Sequence, residues 1–220
     1  MQKTIKSITG YSDISGVVPG VKGQRAFPNR ELRSTDPFIM LDHIGPQRME
    51  ANYSMDGVAH PHRGFETITF MFEGKMEHID SLGNSSTLSS GSVQRMNAGS
   101  GIMHGGKMSV DGGDNIFHEV QLWVNVSADK RMSTPGIHNV SKEEIPSKRL
   151  NTTEVKLVSG KWKDLIGPIE TINPTQIMHI IASSNDQIEL NDLSTEWPML
   201  IYVLEGSLEI DGKVVNEHNS

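Results

Sequence analysis

Short apolar runs separated by glycine and proline are the feature of this sequence that most restricts its fold. The 21 glycines and 10 prolines are spread between these runs and are not gathered in one low-complexity tract. Such punctuation is typical of many short strands joined by turns. No long segment has the periodicity of an amphipathic helix, so the pattern predicts an all-β chain.

The segment 116–126 gives the clearest strand signal. Its alternation places Val120, Leu122 and Val124 on one face, with mostly polar residues on the other. Period-2 patterning that recurs along the chain predicts an antiparallel sandwich or barrel. Further strands are predicted at 67–72, 75–80, 92–96, 154–159, 177–182, 187–190 and 199–210.

Composition narrows the chemistry that the chain can perform. It contains no cysteine, which excludes disulfides, thiolate zinc sites, iron–sulfur clusters and a cysteine nucleophile. A transition metal would have to be bound by imidazole, carboxylate or water, and nine histidines are present. The net charge of −7 gives no overall attraction to nucleic acid or anionic lipid. With no membrane-length apolar run and no signal peptide, we expect a cytoplasmic protein that binds neither membranes nor nucleic acid directly.

Histidines with metal-ligand spacing lie in the first half of the chain. His60 and His62 are two residues apart, so on an extended backbone both imidazoles point to the same face. Pro61 between them stiffens the backbone. A third imidazole is available from His104, which follows a glycine-rich run that allows the chain to bend towards the first two.

These motifs, in this order, resemble the pirin family of the cupin superfamily. The resemblance is carried by the segments 36–42, 60–67, 98–104 and 121–125, and it covers roughly residues 25–215. It implies a bicupin of two antiparallel, jelly-roll-like β-barrels. We expect the N-terminal cupin barrel with the metal site over residues 1–135, and a linker with a partial C-terminal barrel that binds no metal over residues 136–220.

The C-terminal barrel is expected to be truncated. A hairpin predicted at 201–209 resembles the segment 69–77, and the sequence stops soon after it, before the strands that would close a second barrel. An open barrel leaves a strand edge with unpaired backbone groups. We therefore expect an exposed C-terminal edge that could pair with a second copy to form a homodimer.

The resemblance also implies the ligands of the metal. Pirins bind one iron through three histidines and a glutamate, and His60, His62 and His104 match the three histidines. The glutamate would lie two residues after the third histidine, where this chain has Gly106. We expect one mononuclear divalent transition metal, Fe(II) ahead of Mn, Ni, Cu or Zn, and we expect a Gly106→Glu substitution to tighten its binding.

Three possibilities remain open for the fourth ligand position. Water or substrate could fill it, Glu66 could turn inward as a substitute ligand, or metal binding could be weak or lost. If Glu66 is not a ligand, it is the candidate catalytic base for a substrate hydroxyl. The alternative for Glu66 is a structural acid paired with Arg63 or another cation.

Three functions follow from these possibilities. The first is a quercetin 2,3-dioxygenase-type oxygenase that acts on a small phenolic substrate. The second is a metal- or redox-responsive binding protein with a protein partner, like the pirins that act as transcription cofactors. The third is a degenerate cupin with weak or lost metal binding. Gly106 favours the second and third functions over the first, because loss of a carboxylate ligand harms turnover more than it harms a binding surface.

Overall fold

The protein is all-β, as the sequence predicts. The computed structural model describes residues 3–110, 112–194 and 196–220, and these residues form eighteen strands without a helix. Within these ranges, no helix is long and apolar enough to cross a membrane.

The strands are short and follow one another closely along the chain. Those of the first half are β1 (Ser12–Asp13), β2 (Gly23–Phe27), β3 (Phe38–Arg48), β4 (Ser54–His62), β5 (Phe65–Glu73), β6 (Lys75–Asp80), β7 (Ser85–Ser89), β8 (Val93–Asn97), β9 (Ile102–Ser109) and β10 (Ile116–Asn125). Those of the second half are β11 (Gly136–Val140), β12 (Ser147–Leu150), β13 (Thr153–Ser159), β14 (Lys161–Trp162), β15 (Leu165–Ile166), β16 (Ile177–Ile181), β17 (Ser207–Ile210) and β18 (Lys213–Asn216).

Two antiparallel sheets form the N-terminal part. The larger has seven strands in the order β1-β2-β3-β10-β5-β8-β11, and the smaller has four in the order β4-β9-β6-β7. Strand β11 begins at Gly136, just past the expected domain boundary at 135, and pairs with β8 at the edge of the larger sheet. Apolar side chains between the two sheets, including Met71, Leu88 and Phe117, form one hydrophobic core.

Strand β10 lies in the middle of the larger sheet, and both of its faces are covered. The predicted apolar face is confirmed, since Val120, Leu122 and Val124 are all buried. These residues share a core with Val158 and Ile169 of the C-terminal part. The other face of β10 looks towards the four-stranded sheet, because Trp123 contacts His62 of β4.

The C-terminal part consists of smaller sheets. A three-stranded sheet has the order β12-β13-β16, and β14-β15 and β17-β18 are two-stranded. The strand predicted at 187–190 was wrong, and the one predicted at 199–210 forms only at Ser207–Ile210. The physical reason is that a strand needs a hydrogen-bonded neighbour along its length. Among the described residues, 187–190 join no sheet, and within 199–206 only Val203 exchanges backbone hydrogen bonds, with His218 and Asn219. Leu190 instead packs its side chain against the core around Trp162.

Candidate metal centre

The structure brings the three histidines singled out in the sequence together. His60 pairs with His104 across strands β4 and β9, and His62 follows two residues later on the same strand. The ring centroids lie 4.7 Å apart for His60–His62, 4.5 Å for His60–His104 and 4.8 Å for His62–His104. One nitrogen from each ring lies within 4.8 Å of the others. Sheet register therefore produces a three-imidazole cluster.

The protonation states of His62 and His104 suit metal binding. Burial, and then the neighbouring His60, lowers the pKa of His62 to about 4. Burial, followed by His62 and His60, lowers the pKa of His104 to about 3. Both rings are therefore neutral at pH 7 and offer a lone pair. His60 Nδ1 lies 2.8 Å from the carbonyl oxygen of Val58; donation from Nδ1 to that oxygen leaves Nε2 available as a ligand atom.

One nitrogen of the cluster lacks a partner. His104 Nε2 is buried and makes no hydrogen bond. A buried polar atom without a partner is costly, and an ion or a water molecule is a common explanation for one. Three imidazoles that converge on one point fit a divalent transition metal such as iron, nickel, copper or zinc. The donor set therefore fits the metal that the sequence implies.

An aromatic pair borders the cluster. Phe65 and Trp123 stack with their ring centroids 4.3 Å apart, and each meets the ring of His62 edge-on, at 5.1 Å and 5.2 Å. Trp123 also donates its indole N–H to Gln121 Oε1 at 2.8 Å, which fixes the ring in place. Trp123 therefore packs directly against a candidate ligand.

The position where the pirin pattern has glutamate is closed to any side chain. A Cβ added to Gly106 would lie 1.7 Å from the carbonyl oxygen of Glu77 on the neighbouring strand β6. Such a contact with backbone requires the strands to separate. The expectation that Gly106→Glu tightens metal binding is therefore revised, and we now expect this substitution to destabilise the sheet that carries the histidines.

Glu66 lies apart from the three-histidine cluster. Its side chain is fully buried; Oε1 accepts a hydrogen bond of 2.6 Å from Arg95 Nε, and Oε2 accepts one of 2.9 Å from the backbone N–H of Ile172. It is adjacent to Thr67, which pairs with Trp123, so Glu66 points to the opposite face of the sheet. These contacts favour the structural alternative, with Arg95 as the paired cation. A catalytic role for Glu66 stays a prediction.

Sequence reasoning missed three buried polar groups: two on β6 beside the cluster and one on β10, the strand that carries Trp123. His78 and Asp80 on β6 form a buried pair beside His104. Their i, i+2 spacing is the same signal that identified His60 and His62, so the sequence could have revealed them. Glu119 is also buried, with Oε2 unpartnered, and its alternation with Trp123 along β10 directs it to the same face.

Comparisons with known proteins agree with this fold. The family model for pirin matches residues 20–124. A Pseudomonas aeruginosa protein, provisionally named a quercetin 2,3-dioxygenase, is 33% identical over 213 residues, covering 93% of this chain and 72% of that protein. Pirin-like protein 2 of Arabidopsis thaliana is 32% identical over 190 residues, or 84% of this chain. The chain spans only 55% of the length of that plant relative.

A solved structure extends the likeness to the whole chain. The crystal structure of a quercetin 2,3-dioxygenase from Acinetobacter baumannii superposes with a TM-score of 0.78 at 26% sequence identity. The superposition covers 97% of this chain and 69% of that one. The fold of the smaller C-terminal sheets is thus shared, as well as that of the sheets that hold the histidines.

Proposed function

This chain belongs to the pirin family, and from that premise we propose that it is a metal-dependent oxygenase of the quercetin 2,3-dioxygenase type that acts on a small phenol such as a flavonol. Its bicupin, all-β fold is the one expected for that family. The observation that carries the proposal is the convergence of His60, His62 and His104, with His62 and His104 held neutral by burial.

The proposed cofactor is one divalent transition metal. Fe(II) is the first candidate, and Mn, Ni, Cu and Zn remain to be compared with it. Such a metal would act as a Lewis acid towards a phenolic oxygen and lower its pKa. His60, His62 and His104 would hold it. Because the chain has no cysteine and Gly106 supplies no carboxylate, water or substrate would complete the coordination of the metal beside the three nitrogens.

The surroundings of the cluster suit a flat aromatic ligand. Phe65 and Trp123 are half-buried, and they form an apolar wall on one side of His62. Aromatic faces stack favourably with other aromatic rings. His60 is exposed, so the cluster is reached from solvent on its own side. A phenol could therefore approach the three nitrogens while its ring lies against Trp123.

Metal content and oxygen uptake test the proposal. The full chain is reconstituted with Fe(II) or Ni(II), and its metal content is measured before oxygen consumption is followed with quercetin. We expect one metal per chain and quercetin-dependent oxygen uptake. The variant His62→Ala should lose both. Near-zero metal after reconstitution would refute the enzyme function, and metal binding without oxygen uptake would restrict the proposal to a binding role.

A matched histidine elsewhere serves as the control. His138 lies on strand β11, is exposed, and is not a member of the cluster. His138→Ala removes one imidazole from the protein without touching the candidate ligands. It should keep full metal content and activity, so a loss in His62→Ala alone would be assigned to the site.

Exposed apolar side chains favour a second candidate function, a metal-responsive binding protein. Met103 and Ile79 are 45% and 57% exposed on the outer face of the sheet whose inner face carries His104. Val58, two residues before His60, is 85% exposed. Hydrogen exchange of residues 56–62 and 102–107, with and without bound metal, tests this function. Unchanged exchange would count against a metal-dependent surface.

Self-association through the C-terminal strands is also proposed. Strands β17 and β18 form a sheet of only two strands, in which Leu208 and Val214 are 40% and 53% exposed. Unpaired strand edges can recruit a second chain. Sedimentation analysis should show a dimer that Val214→Lys dissociates, whereas a monomer at all concentrations would exclude it.

A further inference from the structure

Strand β6 occupies the side of the cluster where a ligand from position 106 would stand. Gly106 pairs with His78, and His104 pairs with Asp80. The backbone of β6 at Glu77 excludes a side chain at Gly106. The groups that replace such a side chain in this region are therefore His78 and Asp80, whose side chains are 1% and 0% exposed.

Asp80 is a firmly anchored carboxylate. Its Oδ1 accepts hydrogen bonds from the backbone N–H groups of Leu82 at 2.9 Å and Asn84 at 3.1 Å. Its Oδ2 accepts from Asn84 Nδ2 at 2.8 Å and lies 3.1 Å from His78 Nε2. With its oxygens occupied in this way, Asp80 is not available as a metal ligand, but it fixes the ring that contacts it.

His78 lies between Asp80 and His104 and contacts both. Because a carboxylate only accepts, the hydrogen bond to Asp80 places a proton on His78 Nε2. The His78 ring stacks on His104 with centroids 5.2 Å apart and planes inclined by 27°. His78 does not belong to the group of nitrogens within 4.8 Å of one another, so it supports His104 from behind.

We propose that His78 and Asp80 are a positioning pair for the metal centre: Asp80 fixes His78, and His78 holds the ring of His104 with its buried Nε2 directed at the ion. The pair also places a carboxylate charge close to the site from the neighbouring strand, where position 106 supplies none. This inference rests on the metal centre of the proposed function. Polar groups that orient metal ligands are typically worth 10- to 100-fold in metal affinity.

The test is a thermodynamic cycle on metal affinity. Co(II) is titrated into the wild type, Asp80→Asn, His78→Phe and the double variant, with dissociation constants obtained by competition with a chelator. Asp80→Asn keeps an oxygen for the N–H groups of Leu82 and Asn84 but loses the charge. Phe at position 78 keeps a ring against His104. If His78→Phe does not fold, His78→Gln takes its place in the cycle.

We expect each single variant to bind Co(II) roughly 10- to 100-fold more weakly, and the double variant to be no weaker than the worse single one. This non-additivity would not arise if Asp80 only stabilised the 80–84 turn. Asp186→Asn is the matched control, since Asp186 is a carboxylate anchored by Thr152 and Thr153 in the C-terminal part. It should bind Co(II) like the wild type.

The outcomes separate the two proposals. Wild-type affinity in Asp80→Asn, or additive losses across the cycle, would overturn the positioning pair and leave the proposed function intact. An equal loss in Asp186→Asn would show a general charge effect and would also overturn the pair. Failure of the wild type to bind Co(II) would overturn both the pair and the proposed function.

Discussion

The metal-centre histidines and the pair His43–His118 are both brought together by sheet pairing, yet their nitrogens are used differently. His104 Nε2 is left without a partner beside two other imidazoles. His43 is fully buried between Tyr202 Oη, 3.0 Å from Nδ1, and His118 Nε2, 2.8 Å from its own Nε2. One His43 nitrogen must therefore donate while the other accepts.

The difference separates a binding site from a structural contact. The hydrogen-bonded nitrogens of His43 have no lone pair left for a metal. Through Tyr202, they connect the larger sheet to the C-terminal part. Ring nitrogens that lie close together without hydrogen bonds between them remain free to bind a ligand. Histidine content alone therefore does not distinguish a candidate metal site from a structural contact; the hydrogen-bonding state of the ring nitrogens does.

The strongest way to break this comparison is to remove one histidine from each group. His104→Ala should lower Co(II) affinity by more than about 100-fold, because even the groups that orient ligands are worth 10- to 100-fold. His118→Ala should leave Co(II) affinity unchanged. Calorimetric titration measures both, and equal affinities in the two variants would contradict the assignment.

Closure of the site at Gly106 predicts the next largest effect. Gly106→Ala should cost about 3 kcal/mol or more of unfolding free energy, because the new methyl group meets the backbone of Glu77. The control is Gly212→Ala, at a positive φ of 72° with open space around it, where a loss of about 1 kcal/mol is expected. Urea denaturation measures the free energy of unfolding of both variants. Similar losses would show that strand β6 moves aside at little energetic cost.

Removing His43 should break the structural contact and spare the metal centre. His43→Leu leaves Tyr202 and His118 without their buried partner, so we expect a loss of about 2–3 kcal/mol. Chemical denaturation gives the value, and Co(II) titration should be unaltered. His138→Leu, at an exposed position, is the control. A wild-type stability for His43→Leu would show that the hydrogen bonds contribute little.

Glu119 is a buried acid whose Oε2 accepts no hydrogen bond from either group of histidines. Burial, followed by the nearby Asp42, raises the pKa of Glu119 to about 7. The folded protein thus holds a proton that the unfolded chain releases, and stability is lost as the pH rises from about 4.5 to 7. Glu119→Gln should add up to roughly 3 kcal/mol at pH 8 and nothing at pH 4. Exposed Glu209→Gln should add nothing at either pH.

The buried pair His43–His118 should make the stability of the protein sensitive to mild acid. Burial, followed by its histidine neighbours, lowers the pKa of His43 to about 3 and that of His118 to about 4. The unfolded chain therefore binds more protons at these two positions below pH 6.5. Their contribution to stability is complete above pH 6.5 and is lost as the pH falls towards 4. Up to about 2 kcal/mol per imidazole should be lost between pH 6.5 and 5. Denaturation in EDTA should show this slope, and it should be smaller in His43→Leu.

Local patterns predicted much of the fold and part of the candidate site. Alternation along Ile116–Asn125 indicated the central strand, and the i, i+2 spacing of His60 and His62 put both rings on one face. These predictions depend only on the geometry of an extended backbone. The prediction of a strand at 187–190 was wrong, because strand pairing depends on a distant neighbour that local alternation does not reveal.

By itself, the sequence determined the all-β class, the exclusion of thiolate ligands from any metal site and the face shared by His60 and His62. Only the tertiary structure decided that His78 and Asp80 stand beside His104 and that a side chain is excluded at Gly106. The reason is that side-chain direction follows from the local backbone, whereas neighbours across a sheet follow from register. Register is fixed by the packing of the whole chain.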